Sequence, residues 1–186
     1  MIRRLRARRD RDEGAALVET AIVIGILLTL ALGAFEYGMA FQNWFGVSSA
    51  SREGARVAAS VGPTVDADCR ILETVAAALQ STSGNEVLSV TIFEHDPGSG
   101  TDGAFNAYRP FNSASDDPLS LRCSTWFILP GSGWSETSRD NTGADRDWIG
   151  VEVEFRHNWI TGFAWWNGTV DWNNRNIMRM EPVNYG

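Results

Sequence analysis

A long run of mostly apolar residues lies within the amino-terminal third of the chain. From Ala15 to Phe35 the only charged residue is Glu19. With a rise of about 1.5 Å per residue, a helix over these 21 positions would be roughly 31 Å long. That length matches the hydrocarbon core of a bilayer, so the pattern predicts a membrane-spanning helix at about residues 15–36.

Beyond this run the pattern remains helical but becomes amphipathic. The first proline is Pro63, directly after Gly62, and we expect one helix from about Ala15 to about Ser60. Small residues recur at every fourth position of its outer half: Gly46, Ala50, Gly54 and Ala58. This small-residue seam would allow close packing either on the helix of a neighbouring subunit or on the protein's own sheet.

The remaining chain alternates between short periodic segments. Residues 66–79 have apolar positions at helical spacing and predict a second, amphipathic helix. Four segments have the composition or alternation of strands: 88–92, 124–129, 149–156 and 177–181. Residues 163–172 predict a hairpin turning at Asn167-Gly168, a dipeptide typical of a type I′ turn. The expected fold class is α+β, with a long amino-terminal helix packed on a small antiparallel sheet and one further short helix.

Two stretches rich in Gly, Ser, Asp and Asn, residues 96–117 and 130–147, predict surface loops because they are too polar to build a core. The second stretch concentrates oxygen donors around a glycine: Asp140, Asn141, Gly143, Asp145 and Asp147. Their spacing does not fit an EF-hand, and a solvated acidic turn is the simpler interpretation.

Charge is distributed unevenly along the chain. The net charge is -7, yet residues 1–14 carry six Arg against three acidic residues. Basic residues before a span stay in the cytoplasm, which places the chain after Glu36 outside. A cleaved secretory signal would also begin in this way, but it would end at a small-residue site, whereas Phe35, Glu36 and Tyr37 continue the helical pattern. The later Arg residues are scattered among acids, so nucleic acid is not an expected partner.

The two cysteines, Cys69 and Cys123, are too few for a cysteine cage, and His95 and His157 do not stand at ligand spacing. We therefore expect no metal and no cofactor. Outside the cytoplasm the pair would form one disulfide, and two reduced, buried cysteines are the alternative. The sequence also lacks G-x-S-x-G, P-loop and H-E-x-x-H motifs, which argues against an enzyme.

Four of the eight tryptophans cluster around the predicted hairpin: Trp159, Trp165, Trp166 and Trp172. They could form a contact patch for a partner protein, a sugar or a membrane surface. The structural alternative is that they pair across strands and stabilise the hairpin.

Glu19 is the informative residue of the apolar run, because a carboxylate in a spanning segment costs a few kcal/mol unless it is neutralised or paired. The span could instead begin near residue 20, with Glu19 among the headgroups of an uncleaved anchor. Cleavage between Gly14 and Ala15 would create an α-amino group one helical turn from Glu19, and that cation could pair with the carboxylate.

The chain resembles the TadE-like proteins, the minor pilins or pseudopilins of tight-adherence (Flp) pilus systems. The resemblance is carried by G-A-A-L-V-E at 14–19, E-Y-G at 36–38, S-R-E-G-A-R at 51–56, V-E-V at 151–153 and M-R-M-E-P at 178–182. A basic leader that ends in Gly before A-A-L-V-E is also similar to the processing site of type IV prepilins.

This resemblance implies a single-pass protein of the bacterial inner membrane with its carboxyl-terminal domain outside, or a subunit of the extracellular pilus. It implies that prepilin peptidase cuts between Gly14 and Ala15, and that Glu19 acts in helix assembly. The implied partners are other pilin subunits, the pilus assembly machinery, the peptidase and the lipid bilayer. The implied role is a structural or assembly subunit in pilus biogenesis, adhesion or secretion, and not an enzyme.

The expected organisation is a basic cytoplasmic leader at 1–14, a long helix at 15–60 and a secreted α+β domain at 61–186. The main alternative to a pilin-like subunit is an uncleaved, single-pass, membrane-anchored extracytoplasmic binding protein. An extracytoplasmic enzyme with an unrecognised site is a further alternative, and it would require a pocket with convergent Asp and His side chains.

Overall fold

The computed structural model of the chain describes residues 2–80, 85–112, 116, 121–123, 125–162 and 167–182. Within them the helices are α1 (Ile2–Val61) and α2 (Ala67–Leu79). The strands are β1 (Asn85–Asp96), β2 (Thr101–Pro110), β3 (Leu121–Arg122), β4 (Trp126–Ile128), β5 (Trp148–Asn158) and β6 (Thr169–Arg179), with a 3-10 turn at Glu136–Ser138. The predicted α+β fold class is confirmed.

The strands form one antiparallel sheet in the order β3-β4-β2-β1-β5-β6. In its centre Val90 pairs with Val153 and Ile92 with Val151, and all four side chains are fully buried. The pair between Thr91 and Glu152 lies between them and faces the opposite side, because side chains alternate along a strand. The alternation predicted for β1 and β5 therefore marks a sheet with one buried face.

The chain divides into two compact units. The first unit comprises Met1–Ala40 and Trp159–Asn167, and the second comprises Phe41–Asn158 and Gly168–Gly186. The core of the second unit contains side chains from both helices and the central strands, including Val47, Ala55, Ile71, Leu72, Val75, Ile149 and Phe155. The outer part of α1, from Phe41 onward, thus belongs to the same compact unit as the sheet.

The small-residue seam of α1 takes part in the packing of the second unit. Ala50 and Ala58 are buried, and Gly46 is half-buried. A Cβ atom added to Gly54 would lie 2.7 Å from Cγ2 of Val75 and 3.2 Å from Cγ1 of Val151. The structure therefore places Gly54 where α1 closely approaches α2 and β5, as expected for packing on the protein's own sheet. Packing of the seam on a neighbouring subunit stays a prediction.

The hairpin predicted at 163–172 stays a prediction, because residues 163–166 lie outside the described residues. The second half of the segment pairs with β5, Thr169 with Asn158 and Trp172 with Phe155. Asn167-Gly168 precedes β6, and Gly168 has a φ of +79°. The ladder between β5 and β6 pairs eleven positions, and the rings of Trp172 and Phe155 lie in contact across it.

The predicted surface loop at 96–117 is wrong for its central part, which forms β2. Asn106, Ala107 and Tyr108 are buried there despite the polar composition of the stretch. The polar stretch at 130–147 is irregular, as expected, but Trp134, Arg139 and Asn141 within it are also buried. Asn106 and Arg139 are accommodated in the interior because both bind the carboxylate of Asp68, in a distant part of the chain.

Candidate membrane and assembly site

The apolar segment of α1 exposes large hydrophobic side chains on all sides. These are Leu17, Val18, Ile22, Val23, Ile24, Ile26, Leu27, Leu28 and Leu30. By length and composition the helix can cross a membrane, and none of its most apolar window is buried within the protein. A helix that is apolar all round is covered either by other protein or by lipid, so this segment is compatible with membrane anchoring.

The predicted cleavage position lies within the helix. Gly14 and Ala15 are exposed, and a Cβ atom added to Gly14 would meet nothing within 4 Å. Glycine inside a helix costs about 1 kcal/mol relative to alanine, so the helix is locally weakened at this bond. Glu19 is exposed, and its side chain makes no hydrogen bond or ion pair among the described residues.

Glu36 marks the end of the apolar segment, and its carboxylate is fully buried. The carboxylate accepts hydrogen bonds from two backbone N–H groups, those of Ile160 at 3.2 Å and of Thr161. Beside it, Tyr37 and Trp159 meet edge to face with ring centroids 6.1 Å apart. Hydrogen bonds from two amides compensate the buried charge, so Glu36 ties residues 159–161 to α1. Sequence reasoning placed Glu36 in a family motif but did not find this partner.

In the second unit, polar side chains connect α1 to the last two strands. Nδ2 of Asn43 lies 3.1 Å from Nδ1 of His157, and both residues are buried. Ser51 donates to Oδ1 of Asn174 at 2.8 Å and accepts from Nδ2 of Asn176 at 2.6 Å. These directional contacts set the position of the outer helix along β5 and β6 more specifically than apolar packing alone.

Trp172 packs inside the second unit and is half-buried. Its ring lies 5.8 Å from Trp44, 5.6 Å from Phe155 and 5.5 Å from His157, on which it stacks. Trp159 belongs to the first unit, whereas Trp165 and Trp166 lie outside the described residues. A common contact patch of all four tryptophans therefore stays a prediction, and Trp172 has a packing role of its own.

Cys69 and Cys123 form a disulfide with an S–S distance of 2.02 Å, which joins α2 to the residue after β3. The neighbouring residue, Asp68, is 1% exposed and forms an ion pair with Arg139 at 2.5 Å. Oδ2 of Asp68 also accepts hydrogen bonds from Asn106 at 2.8 Å and from the hydroxyl of Tyr108 at 2.7 Å. The disulfide and this buried polar cluster together hold the start of α2 against the sheet.

Sequence reasoning missed the buried polar cluster, although one signal was present. Asp68 stands three and four residues before Ile71 and Leu72, and this spacing places it on the buried face of α2. Its partner Arg139 lies in the polar stretch that predicts a surface loop, and the guanidinium sits 4.4 Å from the centre of the Trp134 ring. Local periodicity does not reveal a pair separated by 71 residues.

The other face of the sheet carries exposed ion pairs. Arg156 pairs with Asp171 at 2.8 Å, and Arg175 pairs with Asp102 at 2.8 Å. A hydrogen bond from Arg156 lowers the pKa of Asp171 below its ordinary value. A hydrogen bond from Arg175 and, to a smaller extent, one from His95 lower the pKa of Asp102. Exposed pairs of this kind contribute little to stability.

In the part of the chain that the structure describes, no group of three or more His, Cys, Asp and Glu side chains could hold a metal ion.

A helix that is long and apolar enough to cross a membrane, followed along the chain by an antiparallel sheet, defines an α+β protein whose amino-terminal helix is compatible with membrane anchoring. Residues 14–56 match the family model described as TadE-like protein. The resemblance inferred from the sequence is thereby confirmed for this segment, which includes Gly14, Glu19 and Glu36. The TadE-like family consists of structural pilus components and is not an enzyme family, and this segment of the chain is similar to it. No curated protein and no solved structure matches the chain.

Proposed function

We propose that this chain is a pilin-like subunit that inserts into the cytoplasmic membrane through α1 and takes part in tight-adherence pilus biogenesis, adhesion or secretion. The observation that carries the proposal is the exposed apolar run from Ala15 to Phe35 in the TadE-like segment. Glu19 is the one carboxylate of this run, and it has no partner among the described residues. In hydrocarbon such a carboxylate requires a compensating cation or a proton.

Proteolysis would supply the cation. In this proposal prepilin peptidase cuts between Gly14 and Ala15, and the new α-amino group pairs with Glu19 of the same or a neighbouring subunit. The Arg-rich leader stays in the cytoplasm, so the sheet domain lies outside, where the disulfide is stable. The partners are other pilin subunits and the assembly machinery, which the helix meets within the bilayer.

Mass spectrometry of the protein isolated from its own membrane tests the cleavage. We expect a mature chain whose amino terminus is Ala15, and a Gly14→Val variant that retains the leader because a branched side chain replaces the glycine of the peptidase site. Ala16→Val is the matched control beyond the cut and should still be processed. An intact leader on the unaltered protein would contradict cleavage and would favour the uncleaved, membrane-anchored binding protein.

Glu19→Gln tests the assembly role, because it keeps the size of the side chain and removes its charge. If the ion pair contributes about 1.4 kcal/mol to association, co-purification with pilin subunits should fall about tenfold, and pilus number should fall with it. Glu53→Gln is the control, since Glu53 is an exposed acid on the outer part of α1 that pairs with Arg56. Normal association and piliation of Glu19→Gln would refute the proposed role of Glu19.

A further inference from the structure

We infer that residues 159–162, which we call the collar segment, form an interfacial anchor that contacts the lipid headgroup region of the outer leaflet. In this role the collar segment sets the depth at which α1 sits in the bilayer. The inference rests on the proposed insertion of α1 and adds a lipid-binding surface outside the spanning helix. Three observations support the inference: the position of the collar segment along α1, its hydrogen bonds to Glu36 and its exposed apolar side chains.

The position of the collar segment along α1 follows from helix geometry. Residues 15–35 are about 31 Å long as a helix, so a span that begins at Ala15 reaches the outer boundary of the hydrocarbon at Phe35. Glu36 is the next residue, and its carboxylate binds the N–H groups of Ile160 and Thr161. The collar segment is thus fastened to α1 at the residue where the helix leaves the hydrocarbon.

The hydrogen bonds to Glu36 also allow non-helical backbone to lie at this position near the hydrocarbon. Amide groups near hydrocarbon cost several kcal/mol when they have no hydrogen-bond partner, and a carboxylate there is costly as well. Here the carboxylate of Glu36, which is 0% exposed, and the two amides compensate each other. The collar segment can therefore approach lipid at residues 160 and 161 without leaving these groups unsatisfied.

The exposed surface at this level is apolar and aromatic. Ile160 is 52% exposed, Tyr37 is 53% exposed and Phe35 is 51% exposed, while Trp159 lies edge to face with Tyr37. Tyrosine and tryptophan are enriched where membrane proteins meet the headgroups, because one end of the ring system is apolar and the other is polar. This surface continues the exposed apolar surface of the span at Leu30. We therefore expect lipid to cover it, and contact with a second copy of the chain is the alternative.

Photo-cross-linking in native membranes tests the inference on the full chain. Benzoylphenylalanine is introduced at Ile160, at Ile24 within the span, and at Val65, which is 76% exposed and belongs to the second unit. After irradiation, mass spectrometry separates phospholipid adducts from protein adducts. We expect phospholipid adducts at Ile160 and Ile24 and none at Val65.

The adducts found at Ile160 and Ile24 distinguish a failure of this inference from a failure of the proposed function. Lipid adducts at Ile24 but not at Ile160 would overturn the collar segment as an anchor and leave membrane insertion standing. Absence of lipid adducts at both positions would overturn insertion itself. Adducts at Ile160 that carry the mass of a second chain would assign the surface to a subunit contact and would also overturn the inference.

A variant of Glu36 tests the attachment. Glu36→Ala removes the acceptor of both amides, so lipid adducts at Ile160 should fall several-fold while those at Ile24 stay unchanged. Glu36→Gln keeps one side-chain acceptor oxygen and should restore part of the yield at Ile160. An unchanged yield at Ile160 in Glu36→Ala would show that Glu36 does not hold the collar segment at the membrane.

Discussion

Replacing Asp68 by Ala is expected to lower the free energy of unfolding by about 3–5 kcal/mol, because the change leaves the charge of Arg139 buried and unpaired. Asp68 and Arg139 are each 1% exposed as side chains and lie 2.5 Å apart. Asn106 and Tyr108 would lose their common acceptor in the same variant. Urea unfolding of the full chain in detergent micelles, followed by circular dichroism, measures the loss.

Asp66→Ala is the matched control for this experiment. Asp66 is also an acid at the start of α2, but its pair with Arg70 is exposed, with a separation of 3.2 Å. We expect the control to change stability by less than about 1 kcal/mol. A double variant, Asp68→Leu with Arg139→Met, removes both charges and should be more stable than Asp68→Ala. A loss of under about 1 kcal/mol in Asp68→Ala would show that the ion pair does not hold α2 in place.

Removal of the disulfide is expected to have an effect of similar size. Cys69 and Cys123 are separated by 54 residues, and for a loop of that length the chain-entropy model gives about 4 kcal/mol. A Cys69→Ser, Cys123→Ser double variant should therefore unfold at a lower urea concentration than the oxidised protein. Treatment of the unaltered protein with a reductant should give the same shift, and no shift in either case would contradict a structural disulfide.

The two effects should not be additive, because Asp68 and Cys69 are neighbours on α2 and both hold the start of this helix against the sheet. Sites in direct contact commonly show coupling energies of about 0.5–3 kcal/mol. Once the disulfide is absent, the start of α2 can move away from the sheet and allow water to reach Arg139. The Asp68→Ala change should then cost less than it does in the oxidised protein, which a double-mutant cycle would measure.

Features that depend on neighbouring residues could be predicted from the sequence. The apolar run from Ala15 to Phe35 predicts a helix that is hydrophobic on every face, and α1 exposes apolar side chains there. The helical spacing at 66–79 predicts α2, and alternation predicts the central parts of β1 and β5. The motifs at 14–56 indicated the TadE-like family for the same residues that match its model.

Features that depend on pairing across the chain were decided by the tertiary structure. The strand β2 lies in a stretch whose polar composition predicts a loop, because Asn106 binds both Asp68 and the backbone of Trp134. The pairing of β6 with β5 over eleven positions is likewise a contact between segments that local alternation does not specify.

The sequence by itself determined which segments are apolar and with what periodicity their apolar residues recur. These two properties specify the long apolar helix, the second helix and the central strands. Only the tertiary structure decided where the charged residues Glu36, Asp68 and Arg139 lie. The physical reason is that burial of a charge depends on the partners that meet it, and these partners lie 124 residues away for Glu36 and 71 residues away for Asp68. Local patterns report the preference of a residue for water, whereas the fold supplies the hydrogen bonds that replace the water.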